Sequence, residues 1–135
     1  MKTSPVYFHA QRTINYANAS TTLPFEILRL NLGGGMSTSG IFVAPKTGKY
    51  FFTCSGMSDV NSSVRVEMQV KTDTVDWTRI TQGNGVGNYQ GYSIQATMEL
   101  AKGNQIRILL FDGIAHDTFR YTNFVGQLIE EEIVE

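Results

Sequence analysis

Apolar and polar residues alternate one by one over much of this chain. Between residues 64 and 71, valine and methionine alternate with charged or amide side chains, and residues 94–100 repeat the pattern. Successive side chains of a β-strand point to opposite faces, so this period predicts strands with one face in a core and the other in water. No long apolar stretch has the 3.6-residue period of a helix. We predict strands at about 5–12, 25–31, 40–44, 48–57, 63–71, 75–81, 91–100, 104–111 and 119–129.

Turn-forming residues separate the predicted strands. Pro45–Gly48 predicts a turn, Lys102–Asn104 a tight hairpin, and Gly83–Asn88 a glycine-rich loop. That loop shares only its glycines with a phosphate-binding loop, because it lacks the lysine and the strand–loop–helix context of a P-loop. Many short strands with regular turns and no helix predict an all-β sandwich or jelly roll.

Four stretches are apolar on both sides of the predicted strand. They are Val6–Phe8, Tyr50–Phe52, Leu109–Phe111 and Phe124–Val125. An exposed row of such side chains would be an apolar patch of a kind that soluble monomers rarely show. We therefore predict that copies of the same chain cover one sheet in a closed homo-oligomer. The alternative is that loops of the same chain cover these side chains.

Size and charge limit the class of protein. The 135 residues fit one domain with a sizeable core, and a net charge of −1 gives no electrostatic reason to expect nucleic acid or an anionic membrane as partner. No apolar run has the length of a membrane span. No hydrophobic leader is visible at residues 1–5, so secretion would require a leader that has been removed. We assign residues 1–4 to an N-terminal segment, 5–130 to the domain, and 131–135 to an acidic, solvated tail.

Residues with catalytic or metal-binding chemistry are few and poorly spaced. The single cysteine, Cys54, lies in an apolar run, which predicts a buried, inert thiol, with an interchain disulfide as the alternative. His116 and Asp117 are adjacent in sequence, and adjacent residues rarely face each other. A chelate that adds Asp112 to this pair, or a thiolate–imidazole pair of Cys54 with His9, has no supporting spacing. We therefore predict no catalytic residue, no metal site and no enzyme activity.

Aromatic and arginine side chains at strand ends and in loops are better candidates for binding. Aromatic faces stack on sugar rings and other flat apolar surfaces, and arginine binds carboxylates through paired N–H groups. Each residue has a structural alternative, such as Trp77 capping the sandwich. Two sequons in predicted loops, at Asn18 and Asn61, are candidate glycosylation sites. The predicted ligand-binding residues are Trp77, Arg79, Tyr89, Tyr92 and Arg120.

Five segments, in order along nearly the whole chain, resemble the globular C1q domain of the C1q/TNF-like family. They are Val6–Thr13, Phe25–Asn31, the diagnostic block Gly40–Phe52, the hairpin Leu100–Ile106 and the closing strand Phe124–Ile129. The residues before Gly40 and before the last strand are similar to those of invertebrate members. The resemblance implies a ten-stranded jelly roll, a tight homotrimer, secretion and recognition of extracellular ligands. We predict that the trimer interface includes Tyr7, Phe51, Phe111 and Tyr121.

Three departures from the family pattern change what the resemblance implies. Met36-Ser37 replaces a usual Tyr-Asp pair, which would loosen that loop. Some members hold calcium with acidic residues near the trimer apex, but the matching positions here are Ile80 and Asn88. Since calcium takes six to eight oxygen ligands, usually including carboxylates, we expect no calcium site and no other cofactor. No collagen-like Gly-X-Y repeat precedes the domain, so we expect any larger bouquet-like assembly to lie outside this sequence.

Two functions on the same fold follow from the resemblance. The first is a secreted, lectin-like module of innate-immune pattern recognition, whose homotrimer presents repeated weak sites to glycans on microbial or cell surfaces. Aromatic and arginine side chains together would suit acidic sugars such as sialic acid. The alternative is a cytokine-like or adhesive extracellular ligand for a protein receptor or matrix partner. An enzyme has no sequence feature in its favour.

Overall fold

A computed structural model describes residues 5–60, 62–116 and 121–132 of the chain. These residues form ten β-strands and no helix. No segment among them could therefore cross a membrane as a helix. The strands are β1 (Tyr7–Gln11), β2 (Thr21–Thr22), β3 (Ile27–Leu32), β4 (Ile41–Val43), β5 (Gly48–Met57), β6 (Val64–Lys71), β7 (Thr78–Gly85), β8 (Gly91–Leu100), β9 (Gln105–Gly113) and β10 (Asn123–Glu131).

The strands form two antiparallel sheets, which we call the inner and the outer sheet. The inner sheet has the order β3-β1-β10-β5-β8, and the outer sheet has the order β2-β9-β6-β7 with β4 also paired to β9. The loops 12–20 and 86–90 lie at one end of the sandwich, the upper end, while 33–40 and 101–104 lie at the lower end. This arrangement confirms the predicted all-β jelly roll.

The core between the sheets is rich in aromatic rings. The Phe8 ring lies 5.1 Å from the Phe42 ring and 4.9 Å from the Phe124 ring, measured between centroids. Gly126 of β10 makes this packing feasible, because a Cβ there would lie 2.4 Å from a Phe8 ring atom. Each large apolar side chain buried in this way contributes about 1.5–3 kcal/mol of transfer free energy. Cys54 is buried in the same core, as predicted.

Two strands, β7 and β10, differ most from their predicted bounds, and one strand was not predicted. β2 has only two residues and was not predicted. β7 starts later than expected and runs through Gly83 and Gly85, so that half of the predicted glycine-rich loop is strand. A Cβ on Gly83 would lie 2.6 Å from the Ile94 side chain, which explains the glycine by close packing and not by a turn. β10 continues to Glu131, where Lys46 Nζ lies 3.1 Å from a carboxylate oxygen, so the first residue of the predicted tail belongs to the sheet.

The buried Tyr50 gives the fold a dependence on alkaline pH. Its hydroxyl donates a hydrogen bond to the Lys46 carbonyl at 2.6 Å. Burial raises the pKa of Tyr50 above 10.0, the Lys46 hydrogen bond opposes this shift, and the Glu131 carboxylate adds to it. Above pH 10 the unfolded chain therefore releases this phenol proton while the folded chain still holds it, and the free energy of unfolding falls.

We expect urea unfolding to show this loss of stability between pH 9.5 and 11, and the absorbance of one tyrosine at 295 nm to titrate late. Tyr50→Phe should lower the free energy of unfolding by about 1 kcal/mol at neutral pH, because it removes the hydrogen bond to Lys46. It should also reduce the fall of that free energy with rising pH above pH 9.5. Tyr89→Phe, at an exposed position in the loop before β8, is the control. An alkaline slope that Tyr50→Phe leaves unchanged would contradict the prediction.

Candidate binding surfaces

The outward face of the inner sheet, which we call the apolar face, carries a group of exposed apolar side chains. Tyr7 pairs with Leu32 on β3, and His9 pairs with Leu30, so all four point to the same side. Tyr7, Leu30 and Leu32 are 37–40% exposed, although alternate residues of β1 are buried in the core. Phe51 lies on the same face two strands away, where it is half-buried. The sheet therefore offers water apolar side chains on β3, β1 and β5, with Gln127 of β10 between Tyr7 and Phe51.

A chain of hydrogen bonds crosses the upper part of the apolar face. Asn123 Oδ1 lies 2.7 Å from His9 Nε2 and 2.8 Å from Gln11 Nε2. Arg29 Nε donates in turn to Gln11 Oε1 at 2.7 Å. The upper part of the face is thus polar with one arginine, while below it β1 and β3 carry apolar side chains and the lower ends of β5, β8 and β10 carry charged ones.

The opposite side of the molecule carries a different surface, which we call the Trp–Arg ladder. The Arg107 guanidinium lies 4.2 Å from the centroid of the Trp77 ring, and its Nε donates to Gln69 Oε1 at 2.8 Å. Gln69 Nε2 donates to Glu67 Oε1 at 3.1 Å, and Glu67 Oε2 lies 3.6 Å from Arg79 Nη1. Three strands of the outer sheet, together with the residue that precedes β7, supply this row.

The two arginines of the ladder differ in their surroundings. Burial lowers the pKa of Arg107 below the ordinary value of arginine, while the Asp76 carboxylate opposes that shift. Arginine nevertheless stays protonated in proteins, so Arg107 remains a cation against the indole. The Arg79 side chain is 58% exposed, and its Nη1 donates to Gln82 Oε1 at 2.9 Å. Since a guanidinium has five N–H donors, Arg79 can also bind a ligand anion from the solvent.

The ladder corrects one sequence expectation about β6. Its polar residues were predicted to lie in water, but Glu67 is only 5% exposed and Gln69 only 8%. Long side chains from the neighbouring strands, Arg79 and Arg107, extend over them and supply hydrogen bonds or an ionic contact. Alternation predicted the side of the sheet correctly and the degree of burial incorrectly.

A third surface lies at the upper end, and we call it the tyrosine–histidine cluster. The His116 ring is 5.2 Å from the Tyr89 ring and 5.3 Å from the Tyr121 ring, between centroids. His116 is buried, whereas Tyr89 is 49% and Tyr121 37% exposed. His116 Nδ1 lies 3.3 Å from Asp59 Oδ1, and Asn15 Nδ2 donates to Asp59 Oδ2 at 3.0 Å. The carboxylate beside the histidine thus comes from the loop after β5.

A sequence model of the family described as C1q domain matches residues 7–129 of this chain. The chain belongs to the C1q domain family. Complement C1q tumor necrosis factor-related protein 3 from Mus musculus and the protein of that name from Homo sapiens are each 28% identical to it over 129 residues, which is 93% of this chain. Those residues cover 52% of each relative, so the chain spans about half the length of these curated relatives.

Solved structures show the same fold. The globular domain of zebrafish complement 1qA protein superimposes with a TM-score of 0.76 at 16% identity, over 94% of this chain and 99% of that domain. Murine APRIL at pH 5.0 superimposes with a TM-score of 0.70 at 12% identity, over 95% of this chain and 100% of that one. Eiger TNF from S. frugiperda gives 0.66 at 10% identity, over 97% of this chain and 94% of that one. The C1q fold of this chain is thus shared with TNF-type proteins.

The C1q fold distributes the predicted ligand-binding residues over two regions. Trp77 and Arg79 belong to the Trp–Arg ladder, and Tyr89 belongs to the tyrosine–histidine cluster. Tyr92 is 7% exposed, with its ring in the core, so it offers no face to a ligand in this fold. Arg120 lies outside the described residues.

The predicted trimer-interface residues also separate. Tyr7 and Phe51 share the apolar face, whereas Phe111 lies on the outer sheet with the Arg65 guanidinium 5.4 Å from its ring centroid. Tyr121 is part of the tyrosine–histidine cluster. One flat interface on the inner sheet can therefore include Tyr7 and Phe51 but not Phe111.

The remaining predictions concern the glycosylation sequons and the positions that match the family's calcium site. Asn18 is exposed in the loop between β1 and β2, while Asn61 lies outside the described residues. Ile80 is half-buried in β7 and Asn88 is exposed in the next loop. In the part of the chain that the structure describes, no three or more His, Cys, Asp or Glu side chains are grouped so that they could hold a metal ion.

Sequence reasoning missed several residues of these surfaces. Arg107 alternates with core isoleucines on β9, and this spacing could have placed it on the outer face beside Trp77. Leu30 and Leu32 share a two-residue spacing with Leu28, which packs against the core, so only the register shift in the β1–β3 pairing places them with Tyr7. The contact of His116 with Asp59 had no signal, because 57 positions separate the two residues and their pairing depends on the tertiary fold.

Proposed function

We propose that this protein is an extracellular C1q-type recognition module that assembles as a homotrimer and binds glycans on microbial or cell surfaces. Membership of the C1q domain family supports the extracellular role, and the exposed sequon at Asn18 fits it. We infer a binding role and not a catalytic one, because neither the ladder nor the tyrosine–histidine cluster pairs a base with an exposed nucleophile. The homotrimer is supported by the apolar face, which a second copy would remove from water.

The Trp–Arg ladder is the observation that carries glycan binding. It lies on the outer sheet, so an assembly through the inner sheet leaves it exposed. The Trp77 indole, stacked with Arg107, offers an apolar surface to a sugar ring, and the exposed Arg79 at the other end of the ladder offers N–H donors to hydroxyl or carboxylate groups. Three copies of a weak site on one trimer gain affinity for a repetitive surface through effective concentration.

A glycan array with the intact protein tests this proposal. We expect signals for acidic glycans, and loss of at least about tenfold in signal for Trp77→Ala and for Arg79→Ala, since tryptophan and arginine often dominate binding energy. Arg65→Ala is the matched control, because Arg65 is an exposed arginine of the same sheet that contacts Phe111 outside the ladder. Each variant is compared with the wild type in thermal unfolding.

No array signal from an intact trimer would count against glycan binding. Equal losses for Arg65→Ala and Arg79→Ala would also contradict a site at the ladder, since they would show that net positive charge alone decides the signal.

The second candidate function is that of a cytokine-like or adhesive ligand for a protein partner. The tyrosine–histidine cluster favours it, because exposed tyrosines such as Tyr89 and Tyr121 are enriched at protein–protein interfaces. The tumor necrosis factor-related name of the relatives agrees with this role. Capture of one defined receptor that Tyr89→Ala abolishes, without competition by sugars, would favour this function over the first.

A further inference from the structure

The apolar face encloses one of the two histidines of the chain. His9 lies on β1 between Leu30 and Val125, its partners on the neighbouring strands, and is already half-buried in the single chain. Covering this face with a second copy would bury the imidazole further. The inference below rests on the proposed homotrimer and concerns how that assembly responds to acid.

Hydrogen bonds fix which ring nitrogen of His9 takes up a proton. Asn123 Nδ2 donates to the Tyr121 carbonyl at 3.2 Å, which orients Asn123 Oδ1 toward His9. A carbonyl oxygen can only accept, so His9 Nε2 donates the 2.7 Å hydrogen bond and Nδ1 keeps its lone pair. Protonation would therefore take place at Nδ1 and leave the bond to Asn123 intact.

Among the residues that the structure describes, the charged groups near His9 in its own protomer do not include a carboxylate hydrogen-bonded to it. Along the hydrogen-bond chain the first charged group is the Arg29 guanidinium of β3, which Gln11 connects to Asn123. On β1 the other titratable group of this face is Tyr7, and the β10 neighbours of His9 are uncharged. Glu26, beyond the start of β3, is held by the Thr13 N–H and by Arg12.

The other carboxylates of this face lie far from His9. Glu99 and Glu130 pair across the strands with Lys49, near the lower end of the sheet. His9, in contrast, is level with Thr53 and Gln95. The hydrogen-bond chain thus connects a cation on His9 to Arg29, whereas Glu99 and Glu130 lie near the other end of the sheet.

We propose that His9 makes the assembly acid-labile: the interface encloses an imidazole whose added proton meets no carboxylate from the described part of its own protomer. Histidine is the side chain whose charge ordinarily changes between pH 5 and 8. Burying a charge without a partner has an unfavourable desolvation free energy, and the homotrimer would bury one such charge in each of its three protomers. Acid should therefore shift the equilibrium from the trimer toward the single chain.

Sedimentation velocity of the full chain, over a dilution series at pH 7.5 and at pH 5.5, tests the proposal. We expect the wild type to sediment as a trimer at pH 7.5, with a dissociation constant about tenfold or more higher at pH 5.5. His9→Gln keeps a neutral N–H donor for Asn123 and should lose this dependence on pH. His116→Gln removes the other histidine, which lies at the upper end of the sandwich. This variant should keep the dependence of trimer dissociation on pH. Circular dichroism at each pH checks that the chain stays folded.

The outcomes distinguish this inference from the proposed function. A trimer that is equally stable at both pH values, or an acid response that His9→Gln retains, would overturn the role of His9 and leave the homotrimer intact. A folded single chain at pH 7.5 would overturn both. A response that His116→Gln abolishes would assign the effect to the tyrosine–histidine cluster and refute the proposal.

Discussion

Phe51→Asp is expected to convert the protein into a folded single chain. Phe51 is half-buried on the apolar face, in the same cross-strand row as Tyr7 and Leu32. In the single chain an aspartate there reaches water, so the fold should tolerate it. In the proposed homotrimer three carboxylates would be enclosed, each costing several kcal/mol, so the dissociation constant should rise by about a thousandfold or more. Light scattering after size-exclusion chromatography would then give about 15 kDa instead of about 45 kDa for three 15.0 kDa chains.

Phe111→Asp is the matched control for Phe51→Asp. Phe111 is 43% exposed and lies on the outer sheet, so it tests whether any exposed phenylalanine can be charged without effect on assembly. We expect this variant to remain trimeric. A single chain for Phe111→Asp and a trimer for Phe51→Asp would place the interface on the outer sheet and contradict the proposed apolar face.

Strict alternation explains why most of the fold could be predicted. On β8, Ile94 and Leu100 are buried, while Gln95, Thr97 and Glu99 are exposed, because alternate side chains face the core and the outward, water-facing side of the inner sheet. The two-residue strand β2 could not be predicted, since its pairing with Leu109 and Leu110 is decided by the position of β9. Such short pairings have no periodicity of their own.

Glycine was the main source of wrong strand bounds. Gly83 and Gly85 belong to β7, although a run of glycines usually indicates a loop. In this fold they lie under β8 and its preceding loop, where a Cβ on Gly85 would lie 2.3 Å from the Gln90 carbonyl oxygen. The sequence alone could not distinguish a glycine required by close packing from a glycine required by a turn.

The candidate surfaces were only partly predictable for a related reason. Trp77 and Arg79 were selected by residue type, and the structure joins them through three side chains from two other strands. Burial of Glu67 depends on the length and direction of those neighbours, which a one-dimensional pattern does not contain. Arg12 shows the same effect more strongly, since nothing in its sequence context predicted that an arginine would be 1% exposed.

Arg12→Met is expected to lower the free energy of unfolding by about 3 kcal/mol, because it removes a buried guanidinium that donates to two partly buried carbonyl groups. The Arg12 guanidinium donates to the Pro24 carbonyl and, at 3.2 Å, to the Ile14 carbonyl. It also lies 4.7 Å from the centroid of the Tyr16 ring and 3.7 Å from a Glu26 carboxylate oxygen. These contacts join the loop after β1 to the segment before β3. Urea unfolding at one fixed protein concentration, which also fixes the contribution of assembly, measures the loss.

Two further variants separate the fork-shaped donor of Arg12 from its charge. Arg12→Lys keeps the positive charge but offers a single ammonium, which cannot serve two carbonyl groups in the geometry of a guanidinium, so it should recover less than half of the lost stability. Arg65→Met, at an exposed arginine over Phe111, should cost less than about 1 kcal/mol. If Arg12→Met and Arg65→Met lower the free energy of unfolding equally, the buried Arg12 guanidinium is not what stabilises the loop after β1. If Arg12→Lys is as stable as the wild type, charge alone is sufficient at this position and the paired carbonyl contacts are not required.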